Sequence, residues 1–176
     1  MLELGGPSDR SAIVVRARLP DRLERLRRAS VANAADGVPA HLTLLHPFVA
    51  PERLGNAVRA RIAAVAARHQ PFAYRLANRA RFPDALYVAV EPLAPFVALQ
   101  ADLAAAFPAF PIYGADATFQ FIPHVTVAAG TAVGRLGIEV DPGWRSLPAD
   151  AHARWITVIA RDPDGRWRTR WRIRLG

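Results

Sequence analysis

Two short segments of the chain carry the same arrangement, His41-Leu42-Thr43-Leu44 and His124-Val125-Thr126-Val127. Along a β-strand, residues i and i+2 share a face, so each segment puts an imidazole and a hydroxyl on one side and two aliphatic side chains on the other. The aliphatic side belongs to a core. The other side presents a polar His-Thr pair, and the chain makes that pair twice. An imidazole, with an ordinary pKa of about 6.5, can serve as base in one copy and as acid in the other near neutral pH. Set on either side of a phosphodiester, one ring would take a proton from the attacking oxygen while the other gives one to the leaving oxygen. Each such group is typically worth about 10²–10⁴-fold in rate. The threonine hydroxyls would donate to phosphoryl oxygens and hold the group in line. A single His-x-Thr is common by chance and reads as structural. Two copies, each on a predicted strand, each with aliphatic alternates and each closely preceded by a proline (Pro39, Pro123), point to a shared site.

Other chemistries find little support. The chain has 176 residues and no cysteine, which excludes a disulfide framework, a Cys-ligated zinc, an iron–sulfur cluster and thiol catalysis. No carboxylate or third histidine stands near either histidine strand with metal-ligand spacing, so no metal and no cofactor is expected. Gly-x-Ser-x-Gly and phosphate-cradling glycine loops are missing. His69 and His152 carry no motif. The formal charge is +8, from 23 basic and 15 acidic side chains, and every basic residue is an arginine. That balance suits an anionic partner such as nucleic acid.

The elements that must position the two pairs are readable from periodicity and turn chemistry. Residues 1–11, rich in Gly, Pro, Ser and Asp, read as a loose tail, and 12–176 as one domain. Residues 12–19 form a strand. A helix opens at Pro20-Asp21 and ends near 35–37, with Leu23 and Leu26 inward and Arg22, Arg25 and Arg28 toward solvent. The first histidine strand spans 41–49. A helix starting at Pro51-Glu52 carries Val58, Ile62 and Val65 at helical spacing. Strands at 72–82 and 85–91 flank Pro83-Asp84. A helix over about 94–107 buries Phe96, Leu99, Leu103 and Phe107. The second histidine strand spans 119–129, residues 130–150 give the weakest signal, and a hairpin closes at Asp162-Pro163-Asp164-Gly165 between 154–161 and 166–175. In that last strand Arg166, Arg168, Arg170, Arg172 and Arg174 alternate with Trp167, Thr169, Trp171, Ile173 and Leu175, so one face is expected to be wholly cationic. The order of elements is α+β rather than a run of βαβ units. The first residues lack the pattern of a signal peptide and no apolar run approaches a membrane span, so a cytoplasmic protein with no membrane partner is expected.

Pro39-Ala40-His41-Leu42-Thr43-Leu44-Leu45-His46-Pro47-Phe48 and Phe121-Ile122-Pro123-His124-Val125-Thr126-Val127-Ala128 resemble the paired motifs of the two-histidine (2H) phosphoesterase superfamily, in its 2′-5′ RNA ligase-like branch. The resemblance implies a bilobal, pseudo-twofold fold in which each lobe offers one histidine strand to a central cleft. It implies metal-independent opening of 2′,3′-cyclic phosphates, at RNA ends or on small nucleotides, or cleavage of related 2′-linked phosphodiesters. A monomer is expected. His41 and His124 become the acid–base pair, with His124 as base and His41 as acid by analogy, and Thr43 and Thr126 become phosphate clamps. Many ligase-like members carry a basic residue shortly after the second motif, where this chain has Ala128-Ala129-Gly130-Thr131. A phosphate-binding arginine must therefore come from elsewhere, with Arg16, Arg18, Arg79, Arg81 and Arg161 as candidates. Phe48, Phe82, Tyr113 and Phe119 are candidates for stacking a base, and His46 for the cleft rim. From another class stands a non-catalytic RNA-binding module that uses the arginine faces.

Overall fold

The computed structural model describes residues 6–114 and 120–176. In chain order the elements are β1 (Pro7–Ser8), β2 (Ser11–Arg16), α1 (Asp21–Ser30), β3 (His41–Leu45), β4 (Phe48–Val49), α2 (Asn56–Ala66), β5 (Phe72–Phe82), β6 (Ala85–Glu91), α3 (Ala94–Ala106), β7 (His124–Ala129), α4 (Leu136–Glu139), β8 (Ala149–Ala153), β9 (Trp155–Arg161) and β10 (Trp167–Arg174). Two antiparallel four-stranded sheets result, in the orders β10-β9-β2-β3 and β7-β6-β5-β8. Each sheet ends on one edge with a histidine strand, and β3 and β7 lie against each other where the lobes meet.

The helices lock the lobes crosswise. α1 follows β2 of the first sheet but packs on β7 of the second, and α3 follows β6 of the second but packs on β3 of the first. Strand alternation makes this possible: Leu42 and Leu44 of β3, and Val125 and Val127 of β7, are all fully buried. They join one continuous core with Leu23 of α1, Val58, Ile62 and Val65 of α2, and Phe96, Leu99 and Leu103 of α3. Both histidine strands are thus held from behind by the same apolar cluster. No helix among the described residues is long and apolar enough to cross a membrane.

Several expectations need correction. Residues 7–11 are not loose: Pro7 and Ser8 pair with Val49 and Phe48, and buried Ser11 donates its hydroxyl to the Val49 carbonyl at 2.5 Å. α1 stops at Ser30 because Val31 turns extended (φ −121°, ψ 112°), and a single 3-10 turn at Ala32–Ala34 follows. Pro47 supplies no amide hydrogen, and the strand expected over 41–49 is split into β3 and β4 around it. Pro51-Glu52 opens only a 3-10 turn, and α2 begins beyond Gly55. The second histidine strand starts at His124, directly after Pro123, while Phe119 lies outside the described residues. β8 joins the second sheet beside β5 from a stretch whose alanine-rich alternation gives little strand signal.

Candidate active site

In both histidine strands the side chains facing away from the core, His41 and Thr43 on β3 and His124 and Thr126 on β7, are half-buried, and all four line one small cavity. Its volume of about 50 Å³ is several times the ~10–15 Å³ that one water needs. The two imidazoles are oriented by the same bond. Nδ1 of His41 lies 2.7 Å from the carbonyl oxygen of Pro39, and Nδ1 of His124 lies 2.7 Å from that of Ile122. A carbonyl only accepts, so each Nδ1 carries the hydrogen, and in the neutral ring Nε2 keeps its lone pair. The residue two before each histidine therefore sets its tautomer.

Burial is the main electrostatic influence on both rings. It pushes His41 down to about 4, helped by the charges of Arg27 and His124 and opposed by the bond to Pro39, which favours the protonated ring. Burial also lowers His124, opposed by the bond to Ile122. Both shifts favour the neutral ring at pH 7.

Arg27, which sequence reasoning missed, also lines this cavity. It is 4% exposed, on the inward side of α1 one turn beyond Leu23. Its guanidinium makes two 2.8 Å bonds to the Glu24 carboxylate, and Arg28 Nε bonds the same carboxylate at 3.0 Å. These bonds hold the Glu24 carboxyl below its ordinary range. One carboxylate between two guanidinium groups leaves a net positive charge beside the histidines. The available signal was spacing: Leu23 and Arg27 stand i and i+4, hence on one helix face.

Tyr113 closes another side. Its backbone sits at φ 54°, a conformation that costs a residue with a Cβ roughly 1 kcal/mol or more. The bond from its amide to the His46 carbonyl, at 2.6 Å, holds it there. In this position the phenol hydrogen-bonds the Thr43 side chain. Tyr113 and His124 are shared with an adjoining, largely apolar pocket of about 390 Å³ that adds Phe82, Phe121 and Ile122. Phe82 stacks on Tyr87 (4.4 Å, 28°) and meets the His124 ring edge-on at 5.0 Å.

The remaining candidates divide. Arg16 stands opposite His41 in the sheet register, and it and Arg18 line a wide groove next to the cavity. Arg79 and Arg81 do not reach the cleft. They pair with Val88 and Leu86, on the face opposite His124, and engage Glu139: Arg79 bonds its carbonyl and Arg81 its carboxylate at 3.3 Å. Arg161 bonds the Gly165 carbonyl at 3.0 Å and braces the terminal hairpin. Phe48 is fully buried between Phe107 and Phe110 and is core, not a platform. His46 does not line the cavity. Its ring lies 3.2 Å from the Ser11 carbonyl, and its own carbonyl anchors Tyr113. The expected cationic face of β10 is broken by a β-bulge between Thr169 and Trp171, which turns Arg172 and Arg174 to the same side as Trp167 and Thr169. Arg168 and Arg170 are paired with Asp162, and Arg168 also with Asp164. Among the described residues no group of three or more His, Asp or Glu side chains is arranged to hold a metal ion.

Comparison with known proteins bears on the fold and the family. The fold matches the solved structure of TT0787 of Thermus thermophilus with a TM-score of 0.60 at 22% identity, over 94% of this chain and 97% of that one. A structure described as a phosphoesterase matches with a TM-score of 0.55 at 18% identity, over 96% and 99% of the two chains. E. coli LigT complexed with NADP+ matches with a TM-score of 0.53 at 18% identity, over 97% and 99%. No curated protein is significantly similar by sequence. The family model for the 2′-5′ RNA ligase superfamily matches residues 15–164, a span that includes both histidine strands, α1 and the cavity between them. That match covers most of the chain, and the chain belongs to the 2′-5′ RNA ligase superfamily.

Proposed function

We propose that the protein is a phosphodiesterase that opens 2′,3′-cyclic phosphates, on RNA ends or small nucleotides, or cleaves related 2′-linked phosphodiesters. The observation that carries this reading is the convergence of two tautomer-locked imidazoles and two threonine hydroxyls on one small cavity. Arg27 supplies the positive charge absent after the second motif. With Glu24 shared between Arg27 and Arg28, a bound phosphate meets a net cation and receives charge-assisted hydrogen bonds.

The surroundings of the two rings distribute their roles. His41, more strongly desolvated and with Arg27's charge acting on it, keeps its lone pair down to about pH 4 and is the base. His124 borders the apolar pocket that suits a nucleobase, so it adjoins the ribose oxygen that leaves and is the acid. This order reverses the one suggested by family analogy. Water attacks phosphorus and passes a proton to His41 Nε2. The bond from phosphorus to the ribose oxygen breaks, and that oxygen takes a proton from Nε2 of His124, which enters the step as the imidazolium because the negative charge of the bound phosphate raises its proton affinity. Exchange with solvent resets both rings. E. coli LigT has been solved with 3′-AMP, ATP and NADP+, which supports a nucleotide as the occupant.

The test is turnover of a panel of 2′,3′-cyclic nucleotides and 2′,5′-linked dinucleotides, in chelator, followed by chromatography. Hydrolysis of at least one, abolished in His41→Ala and His124→Ala, is expected. No turnover of any substrate would remove the reading.

A further inference from the structure

Among the described residues, two are common to the small cavity and the apolar pocket beside it, Tyr113 and His124. They reach it from opposite sides of the seam between the lobes. His124 opens β7 of the second sheet. Tyr113 is tied to β3 of the first. Its amide bonds the carbonyl of His46, the residue after that strand, and its phenol oxygen accepts from the Thr43 hydroxyl, a bond that favours the ionised phenol. Buried Ile112 pins the same turn, Ile112–Gly114, to the core. Yet 49% of Tyr113 stays exposed. No other described residue except glycine has a positive φ. Strain of this kind persists where contacts on several sides impose it, and here the amide and the hydroxyl are both fastened.

A nucleoside 2′,3′-cyclic phosphate with its phosphorus among the histidines and its base in the apolar pocket must pass its ribose through the place where the two spaces meet. That place lies between Tyr113 and His124. Two ribose oxygens, O2′ and O3′, are bonded to phosphorus in the cyclic ester, and only one leaves. We infer that Tyr113 is a specificity-determining residue, whose hydroxyl donates to the ribose oxygen that stays on phosphorus and so decides which of the two leaves. A hydroxyl accepts and donates at once, so the bond from Thr43 fixes the phenol oxygen while the phenol's own hydrogen serves the substrate. Water adds to phosphorus and gives its proton to His41. The ester bond facing His124 breaks and its oxygen takes the His124 proton, while the ester bond facing Tyr113 remains. The inference rests on the proposed function and narrows it: one of the two possible monophosphates predominates in the product.

The experiment resolves 2′- and 3′-monophosphate products by chromatography after digestion of each common nucleoside 2′,3′-cyclic phosphate. It compares the wild type with Tyr113→Phe, which keeps the ring and removes the hydroxyl. The wild type should give one isomer in at least about tenfold excess, and Tyr113→Phe should lower that ratio by about fivefold, within the worth of one hydrogen bond. The unfolding midpoint should not move. Equal isomers from the wild type, or a slower variant with an unchanged product ratio, would overturn the inference, the latter because it leaves Tyr113 a merely structural part. If no cyclic nucleotide is turned over, that part of the function reading fails separately, and Tyr113 is judged by calorimetric titration with 2′-AMP and 3′-AMP. A preference of about fivefold or more in the wild type that is lost in Tyr113→Phe supports the assignment. Equal affinities, a preference that survives in the variant, or no binding of either isomer overturns it.

Discussion

The two histidine strands are alike in backbone and unlike in surroundings. Each edges its sheet, buries two aliphatic side chains, and locks its imidazole on a carbonyl two residues earlier. Around His41 stand Arg27 and the arginine groove, and around His124 stand Phe82, Phe121 and Ile122. In the proposed reaction the repeated part supplies symmetric chemistry, one ring for each direction of proton transfer, and the unrepeated part decides which ring does which. A pseudo-twofold cleft would otherwise bind a substrate equally well in two orientations.

Removing the shared part should have the largest effect. His41→Ala and His124→Ala should each lower kcat/KM for the best substrate by about 10²–10⁴-fold, with unfolding midpoints close to wild type. A variant that keeps wild-type rate would place that ring outside the chemistry. Next comes Arg27→Lys, which keeps a charge but loses the two-pronged geometry. A loss of about 10–100-fold in kcat/KM is expected, from charge-assisted bonds worth about 1.5–3 kcal/mol. Arg27→Ala leaves Glu24 to Arg28 alone and should also lower stability in denaturant titration by about 1–3 kcal/mol.

On the His124 side, Phe82→Ala should raise KM for nucleotides about tenfold, from lost stacking worth about 1–3 kcal/mol, and should leave kcat nearly unchanged. A fall in kcat alone would mean that Phe82 only supports the imidazole. The pH profile of kcat/KM separates the rings further. It should rise as the pair loses its first proton near pH 4 and fall as it loses the second below the ordinary imidazole value, giving an optimum on the acid side of about 6.5. The same depressed value ties stability to pH. His41 binds its proton more readily in the unfolded chain, so its contribution is whole above about 6.5 and is lost as pH falls toward 4, by a few kcal/mol (roughly 3). The smallest effect is expected at Arg79→Ala and Arg81→Ala, which face away from the cleft. Their kcat/KM should stay within about twofold of wild type, with stability changed by roughly 0.5 kcal/mol or less.

What the sequence disclosed was local. The alternation in His41–Leu44 and His124–Val127 announced the polar pairs and their aliphatic backing, and the turn at Pro83-Asp84 placed β5 and β6 to the residue. What it concealed depends on contacts between distant segments. Arg27 reads as one more arginine on an arginine-rich helix until α1 is laid across β7. Arg79 and Arg81 looked suitable because parity along β5 is interrupted by a bulge between Leu76 and Arg79 that no periodicity reveals. The bulge in β10 misled in the same way about the terminal arginines. Phe48 is an aromatic beside a histidine motif, and only the packing of Phe107 and Phe110 around it marks it as core.

The central claim is that His41 and His124 act on one phosphoryl group. The measurement that meets it most directly is kcat/KM of His41→Ala, His124→Ala and the double variant on one substrate. Groups that act as a unit are strongly non-additive, so the double variant should be no more than a few-fold slower than the slower single variant. Losses that multiply, or a single variant at wild-type rate, would show that the two rings do not share a phosphate.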